Sequence, residues 1–251
     1  MKSNKMLIFI PTYNENENVE KIYSKITELN LDIDILFLDD NSPDGTGIFL
    51  DRLAEAHQNV NVIHRAKKSG VGSAHLTGIR WAYDHKYEKL ITMDCDFTHS
   101  PDNLPVFIDY AKNHEIVIGS RFMLKGSLNG WNPIRRFLTL SGHIFTKYLL
   151  KMPYDASGAL RLYRLDKIPR EIFSFIKSSG YSFFPESLHI LYMKKYDIKE
   201  IPIILPPRSA GHSKMKLCDI FVGIYKIIIL FVKSLIFKNP YVIKKRKKMR
   251  K

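Results

Sequence analysis

Two aspartates, Asp94 and Asp96, flank Cys95 directly after a short apolar run, Lys89–Met93. In an extended segment alternate side chains point to the same face, so we expect both carboxylates to lie on one side of the chain. Carboxylate oxygens beside a phosphate-bearing substrate are the hard ligands that Mg²⁺ and Mn²⁺ require. A pair of solvated loop aspartates is the alternative interpretation, because a lone Asp-x-Asp triplet is weak evidence by itself.

A second acidic cluster lies in the segment DDNSPDGT, which follows another apolar run. Its carboxylates, Asp39, Asp40 and Asp44, would repel one another if they were unpaired, and this favours a nearby cation or ligand. The segment is also rich in residues that favour turns. By itself it therefore fits either a plain turn or a nucleotide site in which Asp40 binds a base or ribose.

Short apolar runs alternate with amphipathic patterns from residue 6 to about residue 120. The runs that predict strands are Met6–Pro11, Ile33–Leu38, Val60–Ile63, Lys89–Met93 and Ile116–Ile118, and helices are predicted at Val19–Leu29 and Val71–Tyr83. This alternation predicts an α/β fold with a mostly parallel sheet that is covered by helices on both faces. Ligands of such sheets bind beyond the carboxyl ends of the strands, where both acidic clusters and the segment PTYNE fall.

The pattern changes after residue 120. Apolar residues from Trp131 to Met152 follow a three- and four-residue spacing, which predicts an amphipathic helix that begins near Pro133. We expect strands at Ala159–Leu165 and Ile198–Leu205, with a helix around Glu186–Lys195 between them.

The last helical pattern, Lys216–Phe237, is apolar nearly all round, and its polar exceptions recur every seven residues at Asp219, Lys226 and Lys233. Residues 220–237 would be about 27 Å long as a helix, which is short for a membrane span. A helix that lies in the membrane interface with Lys226 and Lys233 facing the headgroups fits this pattern best. A membrane span and an ordinary core helix remain alternatives.

Charge is distributed unevenly over the 251 residues. The net charge is +14, but residues 1–120 carry 12 Lys and Arg against 18 Asp and Glu, and seven positive charges lie in residues 244–251. This asymmetry argues against a protein that coats nucleic acid, as does the placement of the aromatic residues within periodic apolar patterns. The basic tail is instead expected to attract an anionic membrane leaflet.

Cysteine content and the N-terminus bear on the compartment. The two cysteines, Cys95 and Cys218, cannot form a disulfide framework, and no Cys/His zinc pattern is present, so we expect a reducing environment. The apolar stretch Met6–Pro11 is too short for a signal-peptide core. The expected location is the cytoplasmic face of a membrane, with peripheral or shallow attachment through the C-terminal helix.

Eight motifs, taken together and in order, resemble one family. They are PTYNE, DDNSPDGT, KSGVGSA, MDCDFTHSP, GSRF, GW followed by Arg135 and Arg136, GYSF with Glu186, and Arg208 with GHSK. In this order and spacing the chain resembles the dolichol-phosphate (polyprenol-phosphate) mannosyltransferases, inverting family-two glycosyltransferases with the GT-A fold. The resemblance covers about residues 6–216, and it implies a catalytic domain at 1–215 and a membrane-associating helix with a basic tail at 216–251.

The resemblance implies transfer of mannose from GDP-mannose to a polyprenyl (dolichyl) phosphate, with Mg²⁺ or Mn²⁺. The donor-binding residues that it implies are Pro11, Tyr13, Glu15, Leu38, Asp40, Asp94, Cys95, Arg208, Ser213 and Lys214. It places the metal at Asp94, Asp96 and Thr98, and the acceptor phosphate at Arg121, Arg135 and Thr139. The catalytic residues that it implies are Asp96, Arg121, Arg135, Asp155 and Glu186.

Two stretches depart from the family pattern, and both are expected near the sugar and the acceptor. The chain reads Asp155-Ala-Ser-Gly-Ala-Leu-Arg161 and Gly180-Tyr-Ser-Phe-Phe-Pro-Glu186, in which Asp155, Arg161 and Glu186 are retained. Asp155 and Glu186 fit equally well as structural partners of nearby arginines. The alternatives left open are a polyprenol-phosphate glucosyltransferase that uses UDP-glucose and a nucleotidyltransferase with the same acidic edge; the sequence leaves the oligomeric state undetermined.

Overall fold

The computed structural model describes residues 5–206 and 217–236, apart from the side chains of residues 134, 135, 217 and 218. The strands in these ranges are β1 (Met6–Thr12), β2 (Asp34–Asp39), β3 (Val60–His64), β4 (Lys89–Thr92), β5 (Ile116–Ser120), β6 (Arg161–Arg164) and β7 (Ile198–Pro202). The α-helices are α1 (Asn16–Thr27), α2 (Thr46–Ala56), α3 (Val71–Asp84), α4 (Leu104–Tyr110), α5 (Pro133–Leu149), α6 (Phe183–Met193) and α7 (Leu217–Ile236).

The strands form one sheet in the order β3-β2-β1-β4-β6-β5-β7. Strands β1 to β4 are parallel to their neighbours in this group, and β7 is parallel to β5. Strand β6 runs antiparallel between β4 and β5. The prediction of a mostly parallel α/β fold is confirmed, and the carboxyl ends of β1, β2, β3 and β4 meet at one edge.

The core lies on both faces of this sheet. Leu7 and Phe9 of β1 pack into a cluster with α3 and α6 on one face. Ile8 and Ile10 alternate with them and pack against α1 and α2 on the other face. Every side chain in the centre of β1 is therefore buried, which explains why this strand is a continuous apolar run.

Helix α7 packs on the core through Ile227 and Leu230. Large apolar side chains along the rest of the helix are exposed to solvent: Phe221, Val222, Ile224, Tyr225, Ile228, Val232, Leu235 and Ile236. Within residues 5–206 and 217–236, the helices all lack the length or the apolar character that crossing a membrane requires.

The polar side chains of α7 differ in their exposure to solvent. Asp219 and Lys226 are partly buried, and they line a cavity of about 110 Å³ together with residues 177–182. Only Lys233 of the two lysines is exposed. Lys226 thus lies near residues 177–182 of the domain, and its orientation toward lipid headgroups stays a prediction.

Candidate active site

The loops that follow β1 and β2 are hydrogen-bonded to each other at the carboxyl edge of the sheet. Backbone N–H groups of the first loop donate to side chains of the second: Asn14 to Oγ of Ser42 at 2.9 Å, Glu15 to Oγ1 of Thr46 at 3.0 Å, and Asn16 to Oδ2 of Asp44 at 3.2 Å. The segments PTYNE and DDNSPDGT therefore form one wall of the candidate site at this edge.

Two of the three carboxylates in DDNSPDGT accept hydrogen bonds from this turn and from the neighbouring loop. Asp39 accepts hydrogen bonds from the backbone and hydroxyl of Ser42. Burial raises the pKa of Asp44, but hydrogen bonds from Thr46 and from the backbone of Asn16 outweigh it and hold that pKa below its ordinary value. Asp39 and Asp44 are therefore not unpaired, as the argument for a nearby cation or ligand assumed, and they stabilise the turn itself.

The third carboxylate, Asp40, forms an ion pair with Arg65, a residue that the sequence did not single out. Nε and Nη2 of Arg65 donate to the two carboxylate oxygens of Asp40, the Nη2 bond being 2.7 Å long. Both side chains are largely buried, with 13% and 8% of their surface exposed. Arg65 directly follows β3, so the rule that places ligands at the carboxyl ends of strands would have found it.

The other residues expected to bind the nucleoside lie on the same wall. Pro11 and Leu38 are neighbours in the parallel register of β1 and β2. The ammonium group of Lys68 lies 3.9 Å from the centre of the Tyr13 ring. Oε2 of Glu15 accepts a hydrogen bond from the side chain of Asn18 at 2.8 Å, which keeps this carboxylate at the start of α1.

Asp94 and Asp96 lie in a loop rather than in an extended strand. Strand β4 ends at Thr92, and the chain bends through Phe97, whose φ is 60°. Asp96 is buried and accepts hydrogen bonds from the backbone and hydroxyl of Thr98, at 3.1 and 2.6 Å. The side chain of Asp94 is more exposed, at 36%. Asp94 and Asp96 therefore lie in a bent loop and not in the extended segment that was predicted.

These side chains offer hard oxygen ligands without forming a complete metal cage. No group of three or more His, Cys, Asp and Glu side chains in the described ranges could hold a metal ion alone. Mg²⁺ and Mn²⁺ sites often combine one or two carboxylates with substrate phosphates and water. Asp94, Asp96 and Thr98 fit a site of that kind, in which the substrate supplies the remaining oxygens.

Arg121 and Asp155 form a buried ion pair beside this loop. Nε and Nη2 of Arg121 donate to the two carboxylate oxygens of Asp155 at 2.7 and 2.6 Å, and Nη2 also reaches Oγ of Ser157. Burial lowers the pKa of Arg121, but Asp155 and, after it, Asp94 raise it above the ordinary value. Burial also raises the pKa of Asp155, and Arg121 outweighs this effect and holds it low.

Glu186 and Arg161 join segments of the protein around this pair. The carboxylate of Glu186 accepts hydrogen bonds from the backbone N–H groups of Lys177 and Ser178, at 3.2 and 2.8 Å. The fully buried guanidinium of Arg161 donates to oxygens of Ala156, Gly158, Tyr163, Phe184 and Ser187. These contacts favour a structural role for Glu186, although its partners are backbone N–H groups and not an arginine.

A cavity of about 400 Å³ opens next to Arg121. It is lined by residues 121–128 and by two residues of α5, Arg136 and Leu140. Its walls combine the cations of Arg121, Lys125 and Arg136 with apolar side chains, which suits a ligand with a phosphate and a hydrocarbon chain. Thr139, which is partly buried, lies on the same helix. The side chain of Arg135 and the whole of Arg208, Ser213 and Lys214 lie outside the described part of the chain.

The sequence resembles known glycosyltransferases over most of its length. A family model described as glycosyl transferase family 2 matches residues 7–170. An undecaprenyl-phosphate mannosyltransferase of Micrococcus luteus is 32% identical over 212 residues, which are 84% of this chain and 87% of the relative. A polyprenol monophosphomannose synthase of Mycolicibacterium smegmatis is 33% identical over 224 residues, which are 88% of this chain and 84% of the relative.

Solved structures share the fold at lower sequence identity. A mannosyltransferase of Pyrobaculum calidifontis in complex with GDP-Man and Mn²⁺ matches 92% of this chain with a TM-score of 0.53 and 16% identity. S. aureus TarS in complex with UDP matches 92% with a TM-score of 0.51 and 15% identity. This chain spans 64% and 66% of the lengths of those two chains. At such identities the likeness concerns the GT-A fold alone.

Proposed function

The chain belongs to glycosyl transferase family 2, and we propose that it transfers mannose from GDP-mannose to a polyprenyl phosphate. The names of the two relatives that match most of the chain support mannose as the sugar and a polyprenyl phosphate as the acceptor. The observation that carries the proposal is that the acidic edge of the sheet lies close to the cationic and apolar cavity. The charge of Asp94, at the acidic edge, is near enough to raise the pKa of Arg121, which lines the cationic and apolar cavity.

The acidic edge would bind the nucleotide sugar. Pro11, Tyr13, Glu15, Leu38 and Asp40 would contact the nucleoside, since they lie together on the wall formed by β1, β2 and their loops. The backbone of Cys95 would contact the donor diphosphate.

The residues at the end of β4 fit a divalent cation. Asp94, Asp96 and Thr98 would hold Mg²⁺ or Mn²⁺, and the ion would neutralise charge on the departing diphosphate. Arg208, Ser213 and Lys214, which lie outside the described residues, would contact the same diphosphate.

The cavity would bind the lipid acceptor. Arg121, Arg135 and Thr139 would hold the phosphate, since arginine suits bidentate phosphate binding. An oxygen of the lipid phosphate would attack the anomeric carbon, the bond from that carbon to the diphosphate would break, and GDP would leave with the electron pair. Because a phosphate monoester is largely ionised at neutral pH, the attacking oxygen has less need of a dedicated general base than a sugar hydroxyl would have.

Asp155 and Glu186 would act on this reaction by positioning. Asp155 fixes the guanidinium of Arg121 through two hydrogen bonds. Glu186 fixes the backbone of residues 177–178. Neither carboxylate would therefore serve as a proton acceptor.

The apolar surface of α7 supports attachment to a membrane. The catalytic domain would comprise residues 1–215, and residues 216–251 would form a peripheral or shallow membrane anchor. The exposed apolar side chains of α7 would enter the interface, and Phe137, Ile144 and Tyr148 of α5 extend the exposed apolar surface. The basic residues 244–251 would add attraction to an anionic leaflet.

Thermal-shift titration with nucleotide sugars tests the donor assignment. In the presence of Mg²⁺ or Mn²⁺, GDP-mannose should stabilise the protein and UDP-glucose should not, because a ligand stabilises the folded state that binds it. Transfer of labelled mannose to polyprenyl phosphate then tests the reaction. Selective stabilisation by UDP-glucose would assign the chain to the glucosyltransferase alternative instead.

A further inference from the structure

Arg65 links two parts of the site that are far apart in sequence. Its guanidinium forms the bidentate pair with Asp40, and its remaining donors reach the chain that follows: Nη1 to Oγ of Ser73 at 2.9 Å and Nη2 to the carbonyl oxygen of Gly70 at 3.4 Å. One side chain therefore ties the end of β2 to the start of α3.

The segment that Arg65 holds is itself locked against the GYSF stretch. The backbone N–H of Ser73 donates to the carbonyl oxygen of Ser179 at 2.8 Å. A Cβ atom at Gly70 would lie 2.5 Å from that same carbonyl oxygen, and one at Gly72 would lie 2.5 Å from Cβ of Phe183. Residues 70–73 thus fit closely against residues 179–183, and this contact restricts the movement of residues 70–73.

Lys68, which lies between Arg65 and this segment, contacts the wall formed by PTYNE and DDNSPDGT as well: its ammonium group lies over the ring of Tyr13. Two residues expected to contact the nucleoside, Tyr13 and Asp40, are therefore each held by a cation from residues 65–68. A mobile aspartate would have to be ordered when the nucleotide binds, at a cost in affinity. An aspartate that is already fixed in a guanidinium fork avoids that cost.

We propose that Arg65 is a positioning residue for the donor nucleotide: it fixes the carboxylate of Asp40 and ties it to residues 70–73 and 179. This inference rests on the proposed function, because it takes the nucleoside of the donor as the ligand of Asp40. Arg65 acts through Asp40, so the two side chains should behave as one unit in binding.

Equilibrium binding of GDP with Mg²⁺ to the full chain, by calorimetry, tests this proposal. We expect R65Q and D40N each to weaken GDP binding by about tenfold or more, because charged hydrogen bonds contribute on that scale. The double variant should bind no more weakly than the weaker single variant, since residues in one network are not additive. R65K keeps the charge without the planar fork and should fall between wild type and R65Q.

Arg164 provides a matched control, because it forms a bidentate pair with Asp166 and a bond to the carbonyl oxygen of Ala111, next to the opposite end of β4. R164Q should leave GDP affinity unchanged. In steady-state kinetics R65Q should raise KM for GDP-mannose while KM for polyprenyl phosphate at saturating donor stays the same, a split that general loss of structure would not produce.

Wild-type GDP affinity in R65Q, or fully additive losses in the double variant, would overturn the role of Arg65. If R65Q does not fold, R65K decides the question, and wild-type affinity in R65K overturns the proposal. Failure of the wild-type chain to bind GDP at all would instead overturn the proposed function.

Discussion

Asp155 holds Arg121 by three hydrogen bonds, two from the guanidinium and one from the backbone N–H at 3.1 Å. The side chain of Asp155 is completely buried, and that of Arg121 is 9% exposed. Nε and Nη2 are used by Asp155 and Ser157, whereas Nη1 has no hydrogen-bond partner among the described residues. The pair therefore presents one edge of a fixed guanidinium to the cavity.

Asp155→Asn should destabilise the protein strongly. Removing one partner of a buried pair leaves an uncompensated buried charge, which costs about 3–5 kcal/mol. Urea unfolding measures this loss. Asp166→Asn is the matched control, since its pair with Arg164 is partly exposed and should contribute less than about 1 kcal/mol.

The Asp155 pair also has a defined pH dependence. Because the pKa of Asp155 is below the ordinary value of 3.8, its stabilisation is present above that pH and is lost as the pH falls through the folded-state pKa. The difference in stability between wild type and Asp155→Asn should therefore shrink in acid. A difference that stays constant down to pH 2 would contradict this account.

Arg135→Ala should abolish turnover of the lipid acceptor while GDP-mannose still binds. Residue 135 lies one helical turn before Thr139 on α5 and directly precedes Arg136, which lines the cavity together with Arg121. Acceptor kinetics and donor calorimetry measure the two effects separately. Lys147→Ala, an exposed cation on the same helix, is the control, and acceptor kinetics in Arg135→Ala equal to those of the control would refute the assignment.

Sequence patterns predicted which segments lie at the carboxyl edge of the sheet, but they did not predict how all the strands pair within it. Apolar runs and the rule for parallel strands placed PTYNE, DDNSPDGT and MDCDFTHSP at one edge, and the structure confirms this. The antiparallel direction of β6 was not predicted, because a short apolar run carries no information about strand direction. The contact of Lys226 with the cavity beside residues 177–182 was not predicted for a similar reason: heptad spacing groups side chains on one face, but a helix that is apolar all round does not reveal which way that face points.

The contacts of single side chains depended on long-range packing. A lone arginine after β3 has no sequence pattern, and Arg65 meets Asp40 only because the chain folds back over 25 residues. The end of β4 at Thr92 and the bend at Cys95 and Asp96 likewise replace the extended geometry that the Asp-x-Asp spacing suggested. These features follow from the folded structure rather than from local propensity.

Two helical glycines should respond in opposite directions to alanine. A Cβ at Gly78 in α3 would overlap the ring of Phe9, whereas a Cβ at Gly142 in α5 would meet nothing within 4 Å. Gly78→Ala should cost about 1–3 kcal/mol through overpacking. Gly142→Ala should stabilise by up to about 1 kcal/mol through helix propensity. Chemical denaturation measures the change in unfolding free energy of each variant. Changes of the same sign in the two variants would refute the steric explanation.

His75→Phe should make the protein more tolerant of mild acid. His75 is buried against Phe9, Phe183 and Phe184, and burial, with Arg161 and His99 nearby, lowers its pKa from 6.5 to about 3.

Below pH 6.5 the unfolded chain binds a proton at His75 that the folded chain does not bind. Stability should therefore fall by up to about 1.4 kcal/mol per pH unit between pH 6.5 and about 3. Between pH 7 and 4 the unfolding free energy of His75→Phe should therefore depend less steeply on pH than that of wild type. His85→Phe, at the exposed end of the same helix, should keep the wild-type slope, and a wild-type slope in both variants would contradict the prediction.

Replacing exposed apolar side chains of α7 with serine should reduce binding to anionic vesicles. Phe221, Tyr225 and Leu235 are 72%, 62% and 67% exposed, so the triple serine variant removes apolar contact with lipid without opening a cavity in the core. Each large side chain contributes about 1.5–3 kcal/mol when fully buried, so the vesicle partition coefficient should fall by tenfold or more. Vesicle co-sedimentation measures it, and the melting temperature should stay close to that of wild type. Ile48→Ser is the control, because Ile48 is 63% exposed on α2, outside the proposed membrane surface. If the triple variant sediments with vesicles as wild type does, the attachment does not depend on this face of α7.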